Sequence, residues 1–265
     1  EELTLGSKLG INAVYPVYTD PYKYVRVPSI LKYASPIPVA YWPNKQMRRT
    51  VKSVAESGNW DGVVAIQSPV ARYALTVADV PRVLDVDTSL SYQMLERYRH
   101  GFHFLERMRA RLSWIKAYHY ERRLFSTFQA CALASPSEVS YVKKMVCPYG
   151  CLSQLISNGV DCKSKHLGLG NPEIGTLIYN GALSYRANYD AMQYFLNEIF
   201  PLIKVKYPDT SLTITGSTSN VDLAGLALDE NVNLSGYVDD IRPLVASAWI
   251  CVVPIREGGG TRLKI

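Results

Sequence analysis

Residues 249–265, Trp-Ile-Cys-Val-Val-Pro-Ile-Arg-Glu-Gly-Gly-Gly-Thr-Arg-Leu-Lys-Ile, decide how this chain reads. An apolar strand at 250–255 runs into a triple-glycine turn, and the turn opens a basic helix. Such a turn leaves backbone N–H groups free to face an anion, and the helix N-terminus adds partial positive charge. Arg262 and Lys264 contribute two full charges beside it. A diphosphate suits the place. The sequence stops in mid-helix without a terminating signal, so an excerpt of something longer is expected.

Upstream of that tail, from residue 172 on, strand-like and helix-like segments alternate with short turns, as a parallel sheet with crossover helices requires. Strands are expected at 175–180, 211–215 and 232–235, each ending at a glycine: Gly181, Gly216 and Gly236. A helix is expected from Asn188 as its cap, with Met192, Phe195, Ile199 and Ile203 on one face and a kink at Pro201. A second helix covers 240–248. Together with the strand at 250–255 this makes a doubly wound half-domain.

The first half is of similar kind. Short buried strands are expected at 63–66 and 82–85, and a long arginine-rich helix at 92–128. Its apolar positions, Met94, Tyr98, Phe102, Leu105, Met108, Leu112 and Ile115, recur at three and four, marking one packed face. A strand at 130–134 runs into Ser135-Pro136-Ser137-Glu138, a capping box with proline at the first helical position. The stretch 147–172 is irregular and dotted with glycine. The domain boundary falls there, giving domains at 1–155 and 156–265.

Composition bounds the function. With 265 residues and 48% apolar content the chain can bury one large core or two smaller ones. No run is long and apolar enough to span a membrane, and the first residues, Glu1-Glu2-Leu3, do not read as a signal peptide, so neither anchor nor leader is expected within these residues. Five cysteines at irregular spacing argue against a disulfide framework and for a reducing, cytoplasmic setting. Cys147 and Cys151 lack a second pair at metal-ligand spacing. The net charge of +6 is uneven: residues 1–150 hold 20 Lys and Arg against 12 Asp and Glu, whereas 151–265 hold 9 against 11. A basic first half fits an acidic partner such as an anionic membrane surface, and a solvated basic helix face is the competing reading. No nucleic-acid-binding signature accompanies the charge, so nucleic acid is not expected as a partner. The fingerprint G-x-G-x-x-G after a first strand is missing, which counts against a nicotinamide-dependent oxidoreductase.

Taken in order, Asn158-Gly-Val-Asp161, the run 180–191 (Asn-Gly-Ala-Leu-Ser-Tyr-Arg-Ala-Asn-Tyr-Asp-Ala), Leu234-Ser-Gly-Tyr-Val-Asp-Asp240 and 254–265 resemble the group 1 glycosyltransferases. These are retaining, nucleotide-sugar-dependent enzymes of the GT-B fold, and the chain looks most like the bacterial sugar transferases of exopolysaccharide and cell-surface glycan assembly. The resemblance implies an α/β fold of two Rossmann-like domains, both incomplete here. The N-terminal, acceptor-side domain lacks its first strands; the C-terminal, nucleotide-sugar-binding domain lacks its last third. It implies sugar transfer from a nucleotide-diphosphate donor to a glycan or lipid-linked acceptor, with retention and without a metal or other cofactor. A cytoplasmic protein, peripheral at the inner membrane face, fits that role.

Carried over by position, the resemblance places Gly181 and Arg186 at the donor diphosphate, together with Gly259, Gly260, Thr261, Arg262 and Lys264. It places the backbone of Gly236, Tyr237 and Val238 at the nucleobase. The family's E-x7-E motif would put its first Glu at Gly259, as in the GGGT-type branch, and its second just past Ile265. Many members carry a His near the acceptor; the loop after Ile66 offers Gln67 and Ser68, so no catalytic group is named. Chemically, the leaving diphosphate gathers most of the transition-state charge, and backbone N–H groups with Arg262 and Lys264 answer it. Asp85-Val86-Asp87 imitates a metal-binding D-x-D pair, but acceptor contact or local capping ranks ahead of a metal. His100, His103 and His119 read as surface or packing residues, with no partner carboxylate evident. A non-transferring relative such as a nucleotide-sugar epimerase, or a binding-only fragment, is the alternative; the 265 residues alone are expected to show little or no catalysis.

Overall fold

The computed structural model describes residues 11–18, 28, 31, 34–101, 104–159 and 170–256. The chain divides into two compact units, Glu1–Ser157 and Asn158–Ile265. Each holds a four-stranded, wholly parallel sheet flanked by helices, so both are Rossmann-like.

In the first unit the described elements are α1 (Lys45–Glu56), β1 (Val63–Ile66), α2 (Ala71–Ala74), β2 (Arg82–Asp85), α3 (Leu90–His100), α4 (Phe104–Phe125), β3 (Ala130–Leu133), α5 (Pro136–Val146) and β4 (Leu152–Leu155). The strands follow one another across the sheet, β1-β2-β3-β4. Local chemistry starts the helices. The Asn44 side chain accepts from the N–H groups of Gln46 and Met47 to open α1. Ser135 accepts from Glu138 N–H, with Pro136 at the first turn, to open α5. Leu84, Phe125, Leu133, Val142 and Met145 are fully buried in one cluster. Each such side chain contributes about 1.5–3 kcal/mol by leaving water.

Three expectations for this unit are corrected. The helix expected at 92–128 is two helices, because the chain turns to extended backbone at Gly101, where a Cβ would stand 2.8 Å from the Arg97 carbonyl oxygen. The re-phased second helix packs through Ala110, Ala117, Leu124 and Phe125, whereas Leu105, Leu112 and Ile115 are exposed. The stretch expected to be irregular contains β4, which pairs with β3 from Ala130↔Leu152 to Leu133↔Leu155. That pairing sets Cys151 Sγ 3.6 Å from Cys131 Sγ, so Cys151 neighbours Cys131 while Cys147 lies exposed.

Glu121, fully buried on α4, organises the top of this unit. It accepts from the Tyr41 hydroxyl, from Ser89 Oγ at 2.7 Å, from Leu90 N–H at 2.8 Å and from Ser91 N–H at 3.1 Å. Glu138, also buried, accepts from Ser89 N–H at 3.1 Å and Ser135 Oγ at 2.9 Å. Two carboxylates thus sit at the N-terminus of α3, where the helix dipole favours them.

The second unit contains β5 (Glu173–Asn180), α6 (Arg186–Tyr194), a π-helical turn (Phe195–Ile199), α7 (Phe200–Lys206), β6 (Ser211–Thr215), β7 (Val232–Gly236), α8 (Arg242–Ser247) and β8 (Ala248–Cys251). A π-helical turn stands directly ahead of Pro201, where a kink was expected, and Pro201 lies in the first turn of α7, where its missing N–H is tolerated. The helix begins at Arg186, not at Asn188, and the last strand ends at Cys251, not 255. Leu177, Tyr179, Met192, Phe195, Leu212 and Ile214 form its core. The strand order is β7-β6-β5-β8. From β5 the chain builds outward through β6 and β7, then returns to place β8 on the other side of β5.

Candidate functional site

That reversal makes the carboxyl ends of β5 and β8 a topological switch point, the place at which open α/β sheets bind ligands. The site grows from the turn that follows β5. Gly181 N–H donates to the Thr215 carbonyl at 3.1 Å and Leu183 N–H to the Ser217 carbonyl at 3.0 Å, holding the turn against the end of β6. Gly216 has φ +104, and a Cβ there would stand 2.5 Å from Ala182 N and 2.7 Å from Gly181 C. Glycine is therefore required for the two turns to touch. Gly216 N–H continues the chain of contacts to the Gly236 carbonyl at 2.7 Å. Gly181, Gly216 and Gly236 thus cap three neighbouring strands along one edge.

Asn188 lies inside α6, and its side chain locks the turn from beneath. Its amide donates to the Ala182 carbonyl and its oxygen accepts from the Tyr179 hydroxyl, both at 2.8 Å. Tyr179 is fully buried, and burial, with Cys251 adding, pushes its phenol up, so it remains a proton donor. Beside the turn, Asn180 and Thr215 are register partners on β5 and β6. Asn180 Oδ1 and Thr215 Oγ1 are buried without a hydrogen-bond partner among the described residues. Buried polar atoms normally find partners, so this pair marks an edge that receives a polar group.

Helix α6 opens at this edge without a side-chain cap, and Arg186 is its first residue, exposed. A cation there opposes the helix dipole and adds positive charge where the dipole already supplies it. Both favour an anion. Farther along α6, Arg256 from the exit of β8 donates to both oxygens of Asp190, at 3.0 and 3.1 Å, and its guanidinium lies 4.1 Å from the centre of the Tyr194 ring. The clamp fixes the point from which residues 257–265 depart. Arg256→Ala is expected to weaken binding of an anionic ligand at this edge about 10-fold by loosening that departure point, and Arg256→Lys to recover only part of it because lysine lacks the planar fork. Calorimetric titration of the two variants beside the parent checks the order.

Of the residues expected to hold a diphosphate, Gly181 and Arg186 stand at this edge. Gly259, Gly260, Thr261, Arg262 and Lys264 lie outside the described residues. Gly236, with φ +70, and the exposed Tyr237 leave the end of β7, with Val238 half-buried behind them. They lie two strand spacings from β5, ~10 Å away. Gly216, Asn188 and the Arg256–Asp190–Tyr194 clamp escaped the sequence reading as site elements. A glycine directly after an apolar strand was the available signal for the first; nothing local announces the others.

The first unit has its own marked edge. Gln67, at the end of β1, takes φ 71 and ψ 136, and Asp87, after β2, takes φ 55. Asp87 N–H returns to Asp85 Oδ1 at 3.3 Å, so strand alternation stops at Asp85 and the carboxylate caps its own turn. Among the described residues no group of three or more His, Cys, Asp or Glu side chains is placed to hold a metal ion. His100 does have a carboxylate neighbour, Glu96 at 3.7 Å, one helical turn back. His103 lies outside the described residues, and His119 lines a cavity. No described helix is long and apolar enough to cross a membrane.

Residues 175–265 match the family described as Glycosyl transferases group 1. Among solved structures the chain is similar to Anabaena Alr3699/HepE in complex with UDP and glucose, at 13% identity and a TM-score of 0.48, covering 94% of this chain and 62% of that one. Alr3699/HepE in complex with UDP gives 14% identity and a TM-score of 0.42, covering 77% and 55%. The chain therefore spans less than two thirds of the length of either. No curated protein matches it.

Proposed function

We propose that the second unit binds the diphosphate of a nucleotide-sugar donor at the edge built by Gly181, Gly216 and Arg186, and that the whole protein transfers the sugar, with retention, to a glycan or lipid-linked acceptor. The observation that carries this reading is the strand reversal between β5 and β8, which brings the Gly181 turn and the Arg256-anchored exit of β8 to one switch point. The family match over 175–265 supports it from the sequence side.

In this reading the start of α6, set in place by the Gly181 turn, presents its first-turn backbone N–H groups to the leaving diphosphate, and Arg186 adds charge. Arg262 and Lys264 complete the set from the tail. Positive groups fixed before the reaction stabilise charge as it develops on the leaving group, without reorganising. The Gly236–Val238 segment meets the base through its backbone, and residues 1–155 form the acceptor side. The donor arm is tested by calorimetry with UDP, GDP and ADP. At least one is expected to bind with a Kd of roughly millimolar or tighter; silence from all three removes the reading. The transfer arm is tested on the whole protein with labelled donors and a lipid-linked acceptor.

Gln67 carries a second prediction. A non-glycine residue held at its φ and ψ costs about 1–3 kcal/mol and persists where it serves a site. Gln67→Gly is expected to raise the urea midpoint by an amount equivalent to about 1 kcal/mol and to slow transfer by the whole protein about 10-fold. A fall in stability would show that the side chain is there for packing.

A further inference from the structure

The first unit contains a cavity of about 600 Å³ that the donor edge does not explain. Its volume falls within the range of small-molecule sites, roughly 300–1,000 Å³. One wall is a stripe of α4. Lys116, His119, Tyr120 and Arg123 recur at three and four and face the same space. The opposite wall brings Arg72, from α2, whose Nη1 is held by the Tyr41 carbonyl at 3.1 Å. No Asp or Glu is among the described residues that line the cavity.

Lys116 and Arg123, two turns apart on α4, together with Arg72 from another element, gather three cations around one space. The favourable dipole at the end of α4 accounts for Arg123 but not for Arg72. Burial raises the Tyr120 phenol, with Arg72 opposing it, and burial lowers Lys116. Ile37, Leu75 and Leu124 supply an apolar surface beside the charges. Thr127, which lines the cavity, lies just before β3 begins, on the side of that strand's amino end. Gln67 and Asp87 mark the opposite edge.

From this combination we infer that the cavity is a second ligand site, for a phosphate ester carrying an apolar group. Arg72, Lys116 and Arg123 take the phosphate oxygens with Tyr120 as a neutral donor, and the carbon chain lies along Leu75 and Leu124. Arginine forks match phosphate geometry. The inference is independent of the donor reading.

Titration with dihexanoyl phosphatidic acid, which is soluble, tests it against inorganic pyrophosphate, which has charge but no chain. The lipid analogue is expected to bind one per chain, about 10-fold tighter than pyrophosphate, and Arg123→Glu to weaken it at least about 10-fold. Arg123 is exposed, so its replacement leaves the core intact, and a thermal melt confirms that. His119→Glu provides a second variant on the same wall. Co-sedimentation with phosphatidylcholine vesicles, with and without phosphatidic acid, separates the sources. Retention on the doped vesicles, lost in Arg123→Glu, identifies a membrane headgroup; binding of the soluble analogue alone identifies a soluble phosphate ester. The inference is overturned if neither the analogue nor the vesicles bind. It is overturned equally if Arg48→Glu or Arg49→Glu, exposed on α1 and not among the residues that line the cavity, weakens binding as much as Arg123→Glu does.

Discussion

Gly216→Ala is expected to lower the stability of the second unit by about 3–5 kcal/mol and to abolish nucleotide binding with it. Two costs combine. An L side chain at φ +104 is strained whatever the surroundings, and here the new methyl meets backbone at 2.5, 2.7 and 2.8 Å. Those atoms belong to Gly181 and Ala182, so relief can come only by pushing the Gly181 turn away from β6. Backbone does not yield as a flexible side chain would. The turn that shifts is the one proposed to hold the diphosphate, so affinity and stability fall together. Gly236→Ala separates the two costs. Its φ is +70, but nothing lies within 4 Å of an added Cβ, so only the conformational penalty of about 1 kcal/mol applies. Urea midpoints of the two variants measure the difference, and equal losses would show that the contact between turns is not what requires Gly216.

Glu121→Ala is the counterpart in the first unit, with an expected loss of about 3–5 kcal/mol. Removing the carboxylate strands the hydroxyls of Tyr41 and Ser89 and the N–H groups of Leu90 and Ser91, all donors that now point at Glu121. The variant also frees the N-terminus of α3, and with it the turn that holds Asp85 and Asp87. A pH test isolates the charge. Burial raises the Glu121 pKa, opposed by the hydrogen bonds from Ser91, Tyr41 and Ser89. The folded state therefore holds the proton to higher pH than the unfolded chain does. Stability from this group is full below the unfolded carboxylate value and declines as pH rises from there through the raised folded value. Glu121→Gln, which cannot ionise, should remove that part of the decline. Denaturation midpoints at a series of pH values, parent against variant, give the result; parallel curves would mean that Glu121 has the same pKa in the folded and the unfolded chain.

What could be read from the residues follows from the range of the forces involved. Strands of a parallel sheet are short apolar runs between turn residues, and those at 63–66 and 82–85 stand where the local pattern places them. The helix cap at Ser135 and the irregular turn ahead of Pro201 depend on neighbours within one helical turn, and both positions were legible. The split at Gly101 was not, because one glycine in an amphipathic run is decided by what the second helix must pack against. The same holds for β4, whose few apolar residues become a strand by pairing with β3.

The candidate site divides along the same line. The amino-acid sequence by itself determined the alternation of strand, turn and helix in the second half, the glycines that close each strand, and the likeness to a nucleotide-sugar enzyme. Those are properties of adjacent residues. Tertiary structure alone decided that β8 returns beside β5, that Gly216 must touch Ala182, that Asn188 braces the turn from below, and that Arg256 reaches Asp190 across 66 positions. Each joins residues far apart in the chain, and such contacts acquire their energy only when folding has already brought the partners together.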